Sequence, residues 1–451
     1  MHIAIRREDL DKRGEQRVAL TPAQVEALTR QGHAIQVQPA RHPQTGEVKR
    51  AFTDEAYQAA GATVGEELSE ARVVFGLKEV GIDHLLPNKT YLFFSHTHKG
   101  QVKNRPALRA MRERGITLID YELITDPQGR RRLTAFTFFA GYAGMTDSLW
   151  TLGQRLTRRG LDHPMQAVPQ SIAAGDLDAV KAILGRVGEQ IRAEGTPAQL
   201  PPLICTFLGN GKTSAGAQEI YDLLPVQKIT LADLPTVYQH GDRHRVYKLV
   251  LEVSDMFRLK ADSPLGDMAL SPQARYEHYL REPQHFESNL DQVFPYTTLL
   301  MNCIIWSPTY PRLLTREQAA AWYAQHQTLE VIGDITCDPE GAIQFSAETW
   351  IDEPVFVYDP ATRQSRSGFE GEGIAVMAVT NLPCEFSADA STRFAQELAP
   401  LLPFLAEANY EAPTPEDAGL PAELRDATIL WQGQFAPKYA YMDEYLPPLP
   451  G

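Results

Sequence analysis

Three apolar runs in the first third of the chain end in charged or ionisable groups: Arg72–Glu79, Tyr91–Lys99 and Ile116–Glu122. Each is of strand length and bounded by polar residues, Gly or Pro. Ile3–Arg6 and Ala34–Gln38 read as further strands. The spacing also predicts helices over Pro22–Arg30, Phe52–Ala60 and Arg105–Arg114. Thr21 is placed to cap the first, with Pro22 in its first turn, and Gly61 and Gly115 close the other two. This strand–helix rhythm predicts a mostly parallel, helix-covered sheet.

The pattern changes at Ala140–Gly144, a run of small residues that opens a long helix through Arg158. Residues 160–202 are polar apart from a helical stretch, Asp176–Arg192. A second sheet is expected to begin at Leu203. Residues 240–295 are rich in charge and aromatics, show little strand character and read as an insertion. Strand-like runs return at Leu299–Trp306, Glu330–Ile335 and Ile374–Val379. The tail from Pro383 is Pro-rich, with one helix at Ala390–Leu402.

The expected fold is therefore α/β: two Rossmann-like, doubly wound domains with an interdomain cleft. The first spans 1–137 plus 383–451, and the second spans 138–382. Ligands of such sheets sit beyond the carboxyl ends of the strands. If the first three runs are parallel, Lys78, Glu79, His96, Lys99 and Glu122 converge on one rim. Two bases, two acids and an imidazole suffice for proton transfer and carboxylate binding.

Composition narrows the partners. A formal net charge of -14 argues against nucleic acid and leaves the rim bases as a local exception suited to an anionic substrate. Cys205, Cys303, Cys337 and Cys384 are dispersed, with no C-x-x-C pair, so free thiols in a reducing, cytoplasmic setting are expected and a metal site is not. No apolar run approaches the ~18 residues of a membrane helix, and the N-terminus lacks the apolar core of a signal peptide.

Leu203–Leu208 leads into Gly209-Asn210-Gly211-Lys212-Thr213-Ser214, and then into a helical pattern. Strand, Gly-rich turn and helix in that order suit a dinucleotide. The glycines permit the tight turn and bring pyrophosphate to the backbone N–H groups of a helix N-terminus. Ser214 stands where a third glycine is usual, and Gly216 adds a contact point. Asp233 follows about 20 residues on, at the end of a possible strand Lys228–Ala232, a spacing that suits the ribose 2′-hydroxyl and leans toward NADH over NADPH. A phosphate-free turn is the bland alternative.

Together these residues resemble the saccharopine dehydrogenase family, which is related to alanine dehydrogenase and transhydrogenase. Within it they look most like the lysine–oxoglutarate reductase domain of bifunctional aminoadipic semialdehyde synthase. The similar motifs run almost end to end: Arg6–Asp9, Glu15–Pro22, Gly76–Lys78, Phe93–Thr97, Leu118–Glu122, Gly141–Met145, Pro295–Thr298, Pro311–Thr315, Asn381–Pro383 and Lys438-Tyr439. Gly241-Asp242 and Val246-Tyr247 also favour the reductase domain over the shorter fungal enzymes. Four positions depart: Thr336 and Cys337 within Asp334–Asp338, Asp389 in place of Glu, and His98.

The resemblance implies reductive condensation of L-lysine with 2-oxoglutarate to saccharopine, using NADPH or NADH. It implies a stand-alone reductase, with a separate glutamate-forming saccharopine dehydrogenase as a possible partner. Lys78 and His96 match the acid–base pair. Glu79 and Glu122 would tune their charge at the substrate site, and Arg17, Lys99 and Arg132 match carboxylate-binding positions. Asp334 joins Gly209–Ser214 and Asp233 at the nucleotide. Each group has a plainer reading: a rim charge for Lys78, a satisfied core histidine for His96, a helix ion pair for Arg17. An alanine-dehydrogenase-like or opine-forming reductase, and a catalytically silent nucleotide-binding module, remain alternatives.

Overall fold

A computed structural model describes residues 1–265 and 271–446. The parts of the expected insertion and tail at 266–270 and 447–451 lie outside the described residues. The chain divides into two compact units, Met1–Phe136 with Ser387–Gly451, and Thr137–Phe386. Among the described residues no helix is long and apolar enough to cross a membrane.

Unit 1 is built on β1 (His2–Ile5), β2 (Ala34–Val37), β3 (Thr63–Val64), β4 (Val73–Phe75), β5 (Thr90–Phe93) and β6 (Thr117–Asp120). All are parallel. The sheet order is Gln434–Phe435, Thr428–Trp431, β6, β5, β4, β1, β2, β3. β4, β5 and β6 are buried along their whole length, as strands covered on both faces must be. Strand alternation divides them between two cores: Val73, Phe75, Leu92 and Ile119 face one side, and Val74, Tyr91, Phe93 and Leu118 the other.

The tail completes this unit. Leu398, Leu401, Leu402 and Leu405 enter the first core, where truncating one leucine to Ala costs about 2–5 kcal/mol. The single helix expected over 390–402 is two, Ser387–Leu398 and Leu402–Glu407. Pro400 and Pro403 lack the N–H a continuous helix needs. The antiparallel strands Thr428–Trp431 and Gln434–Phe435 were not expected from the sequence. Thr21 and Pro22 do open the first helix, although Thr21 bonds the Gln24 side chain rather than a backbone N–H.

Unit 2 holds β7 (Ile204–Leu208), β8 (Val226–Lys228), β9 (Val246–Leu251), β10 (Leu299–Asn302), β11 (Val331–Asp334), β12 (Val355–Asp359), β13 (Gln364–Ser367) and β14 (Ile374–Met377). Their order is β13-β12-β14-β11-β10-β7-β9-β8. β9 corrects the expectation of a strand-poor insertion from residue 240: it is a sheet strand beside β7. Its Lys248 hides among apolar neighbours because both Asp222 carboxylate oxygens take the amine, at 2.5 and 2.7 Å. The irregular part follows, with a small hairpin of Phe257–Leu259 and Phe286–Ser288.

The helix Ala135–Arg158 crosses the helix Lys212–Tyr221 at glycines. A Cβ on Gly141 would stand 2.2 Å from the Thr213 carbonyl oxygen, and one on Gly216 would stand 2.4 Å from that of Phe138. Gly216 therefore serves helix packing rather than phosphate. In unit 1 the order of connection switches sides between β4 and β1, and in unit 2 β7 lies between the earlier pair β8 and β9 and the later strands from β10 onward. These switch points are where doubly wound sheets take ligands.

Candidate active site

The rim of unit 1 gathers the groups expected there. As the chain leaves β6, buried Asp120 ties two exits together. Its Oδ2 accepts from the Ser95 N–H at 3.0 Å and the Ser95 hydroxyl at 2.5 Å, and its Oδ1 accepts from the Glu122 N–H at 2.8 Å. His96, next along, has φ of +50°. A β-carbon-bearing residue in this left-handed region is strained, and surrounding bonds must hold it there. The Asn104 amide donates to the His96 carbonyl at 2.9 Å.

That turn brings His96 Nδ1 to 2.7 Å from Glu79 Oε1, and Lys12 Nζ lies 3.7 Å from Glu79 Oε2. Burial alone would raise the Glu79 carboxyl. The His96 hydrogen bond and charge outweigh it and bring the carboxyl down to about 2. An ionised carboxylate only accepts, so Nδ1 carries the proton of this bond and Nε2 is left as the ring nitrogen that can exchange a proton with a substrate. Lys99 Nζ and Arg131 reach Glu122 at 3.0 and 2.8 Å. They hold its carboxyl below its usual range against a desolvation cost. His98 is a separate matter: burial lowers its pKa, and its Nδ1 is buried with no hydrogen-bond partner among the described residues.

The two arginines are less open than their expected role requires. Arg17 is 3 % exposed and pairs bidentately with Glu15, at 2.8 and 2.6 Å. Its guanidinium also lies 4.3 Å from the Phe136 ring centre. Burial would raise Glu15, but Arg17 first and Lys78 after it bring it to about 2. Arg132 sits on Glu423 at 2.6 and 2.9 Å. Lys99 is 56 % exposed and is the accessible cation of the three. Lys12 and Glu15 were missed as members of this rim. Their signal lay in sequence proximity to Arg17.

Unit 2 presents the Gly-rich loop between β7 and the helix Lys212–Tyr221. Gly209 has φ of +94°, its N–H meets the Leu251 carbonyl of β9 at 3.0 Å, and a Cβ there would stand 2.9 Å from Ile304. Asn210, Gly211 and Lys212 are exposed, Thr213 half-buried and Ser214 buried. A Cβ on Gly211, the residue before the helix, would meet nothing within 4 Å. Open backbone at a helix N-terminus fits a pyrophosphate.

Asp233 does not stand at the end of a strand. The strand ends at Lys228, and Asp233 lies in a short turn with its Oδ2 bonded to the Thr230 N–H and hydroxyl. β8 is also the sheet edge, with β9 between it and β7. The carboxylate at the end of the strand beside the loop is Glu252, which is exposed and directly follows Leu251. Asp334 ends β11 at 1 % exposure, accepts from the Asn302 amide at 2.8 Å and from the Cys337 N–H at 3.3 Å, and so braces the turn that follows β11. Burial pushes its carboxyl up to about 6.

Two doubly wound sheets, one with this rim and one with this loop, define the alanine dehydrogenase and transhydrogenase fold. Residues 4–143 match the family model "Alanine dehydrogenase/PNT, N-terminal domain". A solved L-alanine dehydrogenase superposes with a TM-score of 0.61 at 18% identity over 99% of both chains. The transhydrogenase of Sinorhizobium meliloti gives 0.58 at 17% identity, over 97% of this chain and 100% of that one.

Sequence similarity is more specific. The chain is a homologue of the alpha-aminoadipic semialdehyde synthases and of the lysine-forming saccharopine dehydrogenases. It is 34% identical to the Arabidopsis thaliana synthase over 95% of its own length and 31% identical to the mitochondrial Bos taurus synthase over 98%. It spans 40% and 47% of those two relatives. The NAD(+)-dependent, lysine-forming saccharopine dehydrogenase of Emericella nidulans is 24% identical, over 87% of this chain and 89% of that one.

Proposed function

We propose that the chain joins the ε-amine of L-lysine to the ketone of 2-oxoglutarate and reduces the resulting imine to saccharopine, using NADPH or NADH, in a reversible reaction. The observation that carries this reading is the 2.7 Å bond from His96 Nδ1 to Glu79, one residue beyond Lys78. It ties an imidazole to the segment that carries Lys78, on a rim rich in cations. Residues 1–137 with 383–451 act on the substrates, and residues 138–382 hold the nucleotide.

The bound nicotinamide supplies the hydride. The protein's own groups manage protons and charge. Lys78 and His96 share two transfers: removal of a proton from the lysine ammonium, so that nitrogen attacks the ketone, and delivery of a proton to the carbinolamine hydroxyl, which leaves as water. Glu79 holds His96 in the tautomer that keeps Nε2 reactive. General acid–base help of this kind is worth about 10²–10⁴ in rate. Lys99, and Arg17 and Arg132 if they exchange their glutamate partners, neutralise the substrate carboxylates. The loop Gly209–Ser214 holds pyrophosphate, and Asp334 braces the turn that follows β11.

A cytoplasmic setting and consumption of the product by a separate glutamate-forming dehydrogenase belong to the same proposal. Its test is product identity. Lysine, 2-oxoglutarate and nicotinamide nucleotide deuterated at the transferred position should yield saccharopine one deuterium heavier. A deuterated 2-hydroxy acid or glutamate instead would reject it.

A further inference from the structure

Two acidic residues at the exit of β1 grip the segment that carries Lys78 and Glu79. Glu8 is 3 % exposed. Its Oε1 accepts the Leu77 N–H and its Oε2 the Lys78 N–H, each at 2.9 Å. Asp9 takes the other end: its Oδ2 accepts the Gly81 N–H at 2.7 Å, and its Oδ1 meets His84 Nδ1 at 2.7 Å. Arg6 stands between them, bonded to Asp9 and 3.6 Å from Glu8 Oε1. Gly76 leaves room for this arrangement, since a Cβ there would lie 3.1 Å from Arg6 Cδ and 3.7 Å from Glu8 Oε1. All of this lies at the switch point between β1 and β4.

A fold needs no buried carboxylate to end a strand, and isolated buried charge is costly. Glu8 spends its charge on two consecutive backbone donors, one of them belonging to the proposed acid–base lysine. We infer that Glu8 and Asp9 are positioning residues of the reaction, a carboxylate clamp that fixes the Leu77–Gly81 segment and thereby the approach of Lys78 and of the Glu79–His96 pair. The inference rests on the function proposed above. A displacement of about an ångström at such a segment costs on the order of 10²-fold in rate.

The test uses Glu8→Gln, which turns one acceptor into an amide N–H facing a backbone N–H, and Asp9→Asn, a milder change at the other end. Three readouts are taken: steady-state rates with lysine and 2-oxoglutarate against pH, the dissociation constant of the nucleotide, and the rate at which trinitrobenzenesulfonate modifies Lys78, followed by peptide mass spectrometry. Expected are a fall in kcat of about tenfold or more for Glu8→Gln and severalfold for Asp9→Asn, with nucleotide affinity unchanged. The pH profile should also be displaced and Lys78 modification altered. Arg7→Met, which breaks a neighbouring pair with Glu66, should behave as the parent does. Lys78 modification is read without turnover, so an inactive parent rejects the proposed function while the clamp is still tested. Kinetics, pH profile and Lys78 modification all matching the parent in both variants would overturn the clamp. So would equal losses in Arg7→Met. If Glu8→Gln does not fold, Asp9→Asn decides.

Discussion

Nδ1 of His96 lies 2.7 Å from Oε1 of Glu79, and the two residues come from the exits of adjacent parallel strands. The bond decides which imidazole nitrogen does chemistry. His96→Gln and Lys78→Met should each lower turnover by about 10²–10⁴ while leaving nucleotide affinity within a factor of two or so. The double variant should be less than multiplicatively worse, because groups on one proton path are not independent. Glu79→Gln keeps an acceptor for Nδ1 but removes the charge, so its loss should be smaller than that of His96→Gln. Steady-state rates against pH for the four proteins check this ranking.

The glycines of unit 2 should separate into two kinds. Gly211→Val places a branched side chain in open space over the proposed pyrophosphate position, so nucleotide affinity should fall tenfold or more with little change in melting temperature. Gly216→Val drives side-chain atoms into the Phe138 carbonyl, and overpacking of that kind costs about 1–3 kcal/mol. Calorimetric titration with nucleotide, paired with thermal melts, distinguishes the two effects.

Glu252 rather than Asp233 is expected to read the ribose. Glu252→Ala should weaken NADH and shift the NADH-to-NADPH preference toward NADPH by about tenfold, the worth of one charged hydrogen bond. Asp233→Ala should leave both Michaelis constants near those of the parent, since β9 stands between β8, the strand before it, and the loop-bearing β7.

Asp334 gives unit 2 a pH dependence with a definite sign. Its folded-state pKa of about 6 lies above the ordinary 3.8, so the folded form binds the proton more tightly than the unfolded one. The stability this contributes is complete below about pH 4 and is lost as pH rises through about 6. The shift corresponds to roughly 3 kcal/mol. Asp334→Asn should flatten the denaturation midpoint across that window.

The sequence made some features legible and hid others for physical reasons. Lys78, His96 and Glu122 could be placed because buried parallel strands read as apolar runs, and their ends are where charge first appears. The Gly209–Ser214 loop was legible because strand, turn and helix follow one another locally. β9 was hidden because Lys248 looks polar in sequence, while in space Asp222 satisfies its amine. The spacing to Asp233 and a possible strand Lys228–Ala232 point to the ribose, but the strand ends at Lys228 and β9, not β8, lies beside β7. The Glu15–Arg17 pair spans two residues, yet nothing in the spacing says that it is buried. The tail strands are too short to show a period.

The most direct measurement follows oxidation of NADH and NADPH with 2-oxoglutarate, in the presence of lysine, ornithine, ammonia or no amine. The expected result is oxidation that requires 2-oxoglutarate and lysine together, is weak with ornithine and is near background with ammonia or no amine. Comparable oxidation with ammonia would instead mark an alanine-dehydrogenase-like reductase, and a folded chain that binds nucleotide yet oxidises none with any amine would be a silent binding module. Either outcome would contradict saccharopine formation.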